Sequence, residues 1–196
     1  MNIHPEFHRF LNRHDKEALL HQKGLAIWMC GLSGSGKSTI ANAAERVLHK
    51  QGRFTIILDG DNMRTGLNAN LSFSDQDRLE NIRRIAEITK TLVENGVIVF
   101  ISAITPRGEL RDLARGIVGE ENLFEIYVKA SYEACEKRDV KGLYAKAARG
   151  EIEHFTGKDG SFEPPQCPDL TIETESLSVT DAAIELLEAI RTRIGA

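Results

Sequence analysis

Residues 31–38 read Gly31-Leu32-Ser33-Gly34-Ser35-Gly36-Lys37-Ser38, a glycine-rich run ending in a lysine and a hydroxyl. Glycines at this spacing let the backbone turn tightly and aim several N–H groups at one anion. The lysine supplies a point charge for phosphate, and the serine hydroxyl is placed to ligate Mg²⁺. The spacing therefore predicts a site for the β- and γ-phosphates of a nucleoside triphosphate with Mg²⁺.

Acids follow one unit further on. The apolar run Phe54-Thr55-Ile56-Ile57-Leu58 ends in Asp59-Gly60-Asp61-Asn62. Two carboxylates there would orient Mg²⁺ and accept a proton from an attacking hydroxyl. A plain Asp-Gly turn is the competing reading. Its place beside the phosphate loop favours chemistry, because strand ends in open α/β sheets face the site. The run 97–104 ends Ile101-Ser102-Ala103-Ile104-Thr105 with no acid, and no Asn-Lys-x-Asp guanine reader occurs. Both features argue against a GTP-driven switch and point to a small-molecule kinase.

These residues need a scaffold, and the flanking patterns supply one. Leu25-Ala26-Ile27-Trp28-Met29-Cys30 reads as a buried strand, while Ile40, Ala43, Ala44, Val47 and Leu48 recur at helical spacing. Strands are expected at 25–30, 54–58, 97–104, 123–128 and 170–173. Helices are expected at 5–22, 38–51, 74–94, 109–117 and 178–194, with short ones at 131–138 and 142–149. Ser74-x-x-Asp77 opens the third of these like a capping box, and Asn95-Gly96 stops it. The alternation predicts an α/β fold of three layers, a central parallel sheet with helices on both faces. One domain is expected over 1–196, with a helical extension at 1–23. The stretch 135–168, rich in charge and glycine and carrying Pro164, Pro165 and Pro168, has little to build a core from. It is read as a basic lid that keeps water from the transfer.

With 41% hydrophobic and 28% charged residues in a chain of 196, the composition is that of a soluble globular domain. The net charge of −4 offers no basic field for nucleic acid. No apolar run approaches the roughly 18 residues of a membrane helix. The N-terminus, with His4, His8, His14 and His21, reads as a helical surface; it has no apolar leader stretch and the histidines are not read as a metal site. Cys30, Cys135 and Cys167 have no metal-ligand spacing and fit free thiols in a reducing cytoplasm.

Several longer blocks resemble adenylylsulfate (APS) kinases: Leu58-Asp-Gly-Asp-Asn-Met-Arg-Thr-Gly-Leu-Asn68, Phe73-Ser-Asp-Gln-Asp-Arg78, Glu80-Asn-Ile-Arg-Arg-Ile85, Cys135-Glu-Lys-Arg-Asp-Val-Lys-Gly-Leu-Tyr144 and Gly150-Glu-Ile-Glu-His-Phe-Thr-Gly157. They stand in family order, and the similarity runs from about Trp28 to Thr174. The resemblance implies a P-loop NTPase fold. The reaction it implies is transfer from ATP, with Mg²⁺, to the ribose 3′-hydroxyl of adenylyl sulfate, giving 3′-phosphoadenylyl sulfate. It also implies a homodimer and, in some relatives, association with a sulfurylase.

Carried over by residue, the resemblance gives a site. Gly31, Ser33, Gly34, Ser35, Gly36, Lys37, Ser38 and Thr39 would hold the ATP phosphates, and Arg138 would lie against the ATP base. Ser38 and Asp59 would hold Mg²⁺, and Asp61 would take the 3′-hydroxyl proton. Arg64, Arg78 and Asn81 would grip the acceptor's phosphosulfate and ribose, as guanidinium forks suit oxyanions. Phe73 and Phe155 would sandwich its adenine, and Lys141 would reach over from the lid. Arg149 is read as a solvated charge.

One stretch departs from the family. Where its members read Ile-Ser-Pro, an aromatic and Arg, this chain has Ile104-Thr105-Pro106-Arg107-Gly108-Glu109-Leu110-Arg111. Thr105 keeps the hydroxyl and is expected to position substrate during direct in-line transfer, with Ile104 beside it; Arg107 and Arg111 are displaced. Two other readings stay open: a related kinase acting on a cytidine diphosphoramidate in surface-sugar modification, and a nucleotide-binding subunit without transferase activity.

Overall fold

Alternate residues of the apolar runs face opposite ways in a strand, and here each set meets its own helical layer. The computed structural model describes residues 9–151, 156–157 and 161–195. Helix α1 (Arg13–Leu20) precedes β1 (Leu25–Cys30), and α2 (Lys37–Lys50) leads to β2 (Thr55–Asp59). The one-turn α3 (Gly60–Arg64) and the long α4 (Asp75–Val93) follow, then β3 (Ile98–Ser102), α5 (Gly108–Val118) and β4 (Leu123–Lys129). Helices α6 (Tyr132–Arg138) and α7 (Leu143–Ala148) come before β5 (Leu170–Glu173) and the closing α8 (Val179–Ile190).

The five strands are all parallel, in the order β2-β3-β1-β4-β5. Leu25, Ile27 and Met29 of β1, with Ile98, Phe100, Ile126 and Val128, pack against Ile40, Ala44 and Leu48 of α2 and Leu186 and Ile190 of α8. Ala26, Trp28, Val99 and Ile101 pack the opposite way, against Ile82, Ile85 and Ala86 of α4 and Leu110 and Ala114 of α5. The three-layer α/β architecture expected from the alternation is therefore present.

Register decides where chemistry can occur. Asp59 pairs with Ser102, and Ser102 with Met29, so three strand tips end level. The segments that leave them, Gly60-Asp61, Ala103-Ile104 and the loop from Gly31, emerge together at the carboxyl edge, where such sheets bind ligands.

Local differences from expectation have local causes. Of the helix expected at 5–22, residues 1–8 lie outside the described residues and the helix occupies Arg13–Leu20. Asn12 caps it reciprocally with Asp15, and His21 ends it at φ 51°. Helix α3 was not anticipated; the Asp59 carboxylate nucleates it by accepting from the N–H of Asp61 (3.0 Å) and Asn62 (3.3 Å). Only half of the α4 capping box forms. Ser74 Oγ accepts from Asp77 N at 3.2 Å, but the Asp77 carboxylate turns to the N–H of Ser72 at 3.0 Å. Strand β3 spans Ile98–Ser102 instead of 97–104, and Thr105, three residues beyond its end, takes φ 44°. Helix α8 ends at Ile190 instead of 194, yet Ile194 stays buried in turns beyond it.

Residues 135–168 also correct a reading. Cys135, Tyr144 and Ala147 are buried with Ala130, and Leu32, Tyr132 and Leu143 pack around them. Each short helix turns its few apolar residues inward and its charges out, so a small satellite core forms where none was expected.

Candidate active site

The phosphate loop depends on glycine where β1 hands over to α2. Gly31 has φ 148°, and a Cβ there would fall 2.4 Å from the Val128 carbonyl oxygen. Gly36 begins α2 at φ 106°, a conformation that L side chains rarely adopt. Lys37 folds back under the loop, donating from Nζ to the carbonyls of Gly31 (2.9 Å) and Leu32 (2.7 Å). Its burial pushes the ammonium pKa down to about 8.

Other segments brace the loop from outside. Tyr144 Oη donates to Ser33 O at 2.7 Å, and Thr174 Oγ1 to Ser35 O at 2.9 Å. Arg138 donates to Gly34 O at 3.2 Å, and to Thr174 Oγ1 at 3.0 Å and Thr174 O at 2.8 Å. Sequence reasoning missed Tyr144 and Thr174 as loop supports, since nothing in their spacing marks a contact more than a hundred residues away.

The Mg²⁺ corner forms between α2 and β2. Ser38 Oγ donates to Asp59 Oδ2 at 2.6 Å and lies 2.8 Å from Ser102 Oγ. Burial alone would raise the Asp59 carboxyl. Hydrogen bonds from Ser38 and from the N–H of Asn62 and Asp61, with the Lys141 charge, hold it below the usual carboxylate range. An ionised carboxylate beside a hydroxyl is a hard-oxygen donor set that fits Mg²⁺. Among the described residues, no cluster of three or more His, Cys, Asp or Glu side chains could hold a metal. Mg²⁺ at nucleotides usually takes one or two protein oxygens together with phosphate oxygens and water. Ser102 was not singled out from sequence; its register opposite Asp59 explains its place.

Asp61 stands exposed at the head of α3 and forms an ion pair with Lys141 across the opening. Phe73 is 60% exposed, with the guanidinium of Arg64 at 4.4 Å from its ring centroid and that of Arg78 at 5.8 Å. Arg64 is fixed by the carbonyls of Leu71 and Ser72 (3.2 and 2.9 Å), Arg78 by Phe73 O (2.9 Å). Asn81 is buried, its Oδ1 accepting from Asn68 Nδ2 at 2.9 Å.

One cleft of about 620 Å³ is lined by Lys37, Ser38, Asp59, Asp61, Lys141 and Ile104, among others. A side pocket of about 240 Å³ opens behind the loop between Thr39, Arg138 and Thr174. A second, of about 80 Å³, opens beyond Asp61 between Arg64, Asn81 and Thr105. The cleft therefore has two ends, with the phosphate loop and the acids between them.

Several polar side chains around the cleft are committed to partners outside it. The Thr105 hydroxyl is committed inward, accepting from Trp28 Nε1 at 3.0 Å, and the residue is 2% exposed. Arg107 pairs with Asp75 (3.3 Å) and Glu109 (3.1 Å), and Arg111 with Glu125 (3.2 Å). Arg149 pairs with Glu151 at the surface. Phe155 lies outside the described residues. Burial raises the Cys30 thiol to about 12, so it is no nucleophile.

A parallel sheet with a glycine-rich phosphate loop after its central strand, and carboxylates at the tip of another strand, defines a P-loop kinase. A profile of the Adenylylsulphate kinase family matches residues 23–173. The adenylyl-sulfate kinase of Bacteroides fragilis is 54% identical over 193 residues, covering 98% of this chain and 96% of that protein. That of Phocaeicola vulgatus is 55% identical over 194 residues, covering 99% and 95%. The structure of an APS kinase from Mycobacterium tuberculosis in complex with AMPPNP and APS superposes with a TM-score of 0.83 at 43% identity, over 86% of this chain and 98% of that one. The chain belongs to the adenylylsulphate kinase family. It is a phosphotransferase with an alcohol acceptor, using ATP and Mg²⁺ on a small-molecule substrate. No helix among the described residues is long and apolar enough to cross a membrane.

Proposed function

We propose that this chain transfers the terminal phosphoryl group of ATP in line to the ribose 3′-hydroxyl of adenylyl sulfate, with Asp61 as the base. The observation that carries the assignment of roles is the shared cleft. Lys37, the Ser38–Asp59 pair and Asp61 line a single cavity that opens toward a pocket at each end. ATP enters with its base toward Arg138 and Thr39 and its phosphates on the loop. Adenylyl sulfate takes the other end, its phosphosulfate facing Arg64 and Arg78, its ribose near Asn81, and its adenine on Phe73, with Phe155 as the second face.

Asp61 then accepts the 3′-hydroxyl proton as the new O–P bond forms. The bond from the terminal phosphorus to the bridging oxygen breaks, and its electron pair leaves with ADP. Lys37 faces the charge building on the transferring group and leaving oxygen. Ser38 and Asp59 would hold Mg²⁺, which would supply charge neutralisation for the phosphates. Lys141 swings from Asp61 to the incoming anion as α6 and α7 close over the cleft, which excludes water from the transfer. Ile104 and Thr105 form the wall behind the acceptor.

A homodimer and docking to a sulfurylase belong to the same reading. So does a cytoplasmic setting, which the free thiols of Cys30, Cys135 and Cys167 support. The reading treats the chain as one domain, with 1–23 as an extension.

The test is ADP release from Mg·ATP with adenylyl sulfate, with a cytidine nucleotide acceptor, or with neither. Turnover is expected with adenylyl sulfate alone. Turnover restricted to the cytidine acceptor, or none with either, would overturn the assignment.

A further inference from the structure

Thr105 sits in a conformation that its side chain disfavours. Its φ of 44° lies in the left-handed region, where a β-branched residue is an outlier. Such backbone persists only where the surroundings over-determine it, and it concentrates at functional sites.

The surroundings here are polar and buried. The indole of Trp28, in the central strand, donates from Nε1 to Thr105 Oγ1 at 3.0 Å. Arg111, from the first turn of α5, donates from Nη1 to the Thr105 carbonyl at 3.1 Å. The same guanidinium lies 3.2 Å from Glu125 Oε1, an ion pair not aligned as a hydrogen bond. Glu125 Oε2 accepts in turn from Arg115 Nη2 at 2.7 Å. Trp28 and Glu125 are register partners on adjacent strands, so the chain of contacts is anchored in the sheet. Trp28, Arg111 and Glu125 are 1%, 8% and 6% exposed. Buried ion pairs seldom add net stability over apolar packing, so a role in fixing geometry better explains this one.

What they fix is the wall of the acceptor end. Ile104 lines the main cleft, and Ile104, Thr105 and Pro106 line the small pocket beside Asp61, Arg64 and Asn81. The Ile104 carbonyl accepts from the N–H of Gly31 at 3.2 Å, which ties that wall to the phosphate loop. The Pro106 carbonyl accepts from the N–H of Glu163 at 2.8 Å, at the far end of the lid segment.

We propose that Trp28, Arg111 and Glu125 are positioning residues that hold Thr105 in its left-handed turn and so set the fit of the acceptor against the Ile104–Pro106 wall. None of them touches a reacting atom. The inference rests on the functional reading above and deepens it, since it assigns acceptor fit to residues beneath the pocket.

The test separates acceptor KM from kcat and from the KM of ATP. Trp28→Phe keeps an aromatic side chain but removes the buried Nε1 donor and part of the indole volume; its acceptor KM should rise about fivefold or more, the worth of one neutral hydrogen bond plus the lost packing. Arg111→Met removes a charged donor and should raise it by about tenfold or more. In both, kcat and the KM of ATP should stay within about threefold of the parent, since neither variant changes a residue of the phosphate loop or an acid of the site. Adding Thr105→Gly to Arg111→Met should recover at least about a threefold part of the loss, because glycine takes a positive φ without strain. A merely structural brace would show no such rescue. Should Arg111→Met fail to fold, Trp28→Phe decides alone. An unmoved acceptor KM, or an ATP KM that rises by the same factor, overturns the inference. Wild-type protein inert toward adenylyl sulfate would instead refute the functional reading.

Discussion

Lys37→Ala is expected to lower kcat by about 10²–10³-fold, as when one preorganised donor is taken from a developing anion, without lowering the thermal stability of the free protein. The second half follows from burial. Lys37 is held by loop carbonyls and has its pKa pushed down to about 8 from an ordinary 10.5. The unfolded chain binds that proton more tightly than the folded one does, so stability falls as protons are taken up. The Lys37 contribution is therefore fully favourable above pH 10.5 and is lost as pH drops through about 8. Bound phosphates reverse the balance, because their charge favours the ammonium, so nucleotide binding near pH 8 takes up protons. Urea unfolding of wild type and Lys37→Ala between pH 7 and 10 checks this. The variant's advantage should shrink as pH rises, and single-turnover measurements should show the lost rate. Full turnover by Lys37→Ala would remove the lysine from the mechanism.

Asp61→Asn should reduce kcat by about 10²–10⁴-fold, the range lost with a positioned general base, while ATP binds as before. Asparagine keeps the shape but cannot accept the 3′-hydroxyl proton. ATP affinity should hold because Asp61 faces Lys141 and not the loop. Stability should barely move, since the pair is 62% and 51% exposed at Asp61 and Lys141 and such ion pairs contribute little. Isothermal titration with a nonhydrolysable ATP analogue, beside steady-state rates, separates the two effects. An unchanged kcat would show that another group takes the proton.

Regular structure was readable wherever period and punctuation agreed. The β1 and β5 ranges match expectation, and α2 and α4 differ by one residue at each end, because a phosphate loop, a Ser cap and an Asn-Gly stop mark those boundaries. Short elements were harder. Helix α3 hides behind an apparent Asp-Gly turn, since its nucleation lies in how one carboxylate meets two N–H groups. The satellite core of α6 and α7 escaped because a single Tyr144 or Cys135 among charges leaves no periodic trace.

The site was legible in part for the same reason. Gly31–Ser38 and Asp59–Asp61 follow strands at their carboxyl ends, and a parallel sheet must bring such segments together. Thr105 shows the limit. Its hydroxyl looks available in sequence, but Trp28, seventy-seven positions away, claims it across the sheet. Ser102 shows the converse: an unremarked serine reaches Ser38 through strand register alone.

The central claim is that the terminal phosphoryl passes to the acceptor's 3′-oxygen beside Asp61. The most direct measurement compares ADP release driven by adenylyl sulfate with that driven by its 3′-deoxy analogue, both at saturating Mg·ATP. The account predicts turnover with the first and none above the acceptor-free rate with the second, which should compete for the same pocket. Equal ADP release with both would place the receiving oxygen elsewhere and contradict the account.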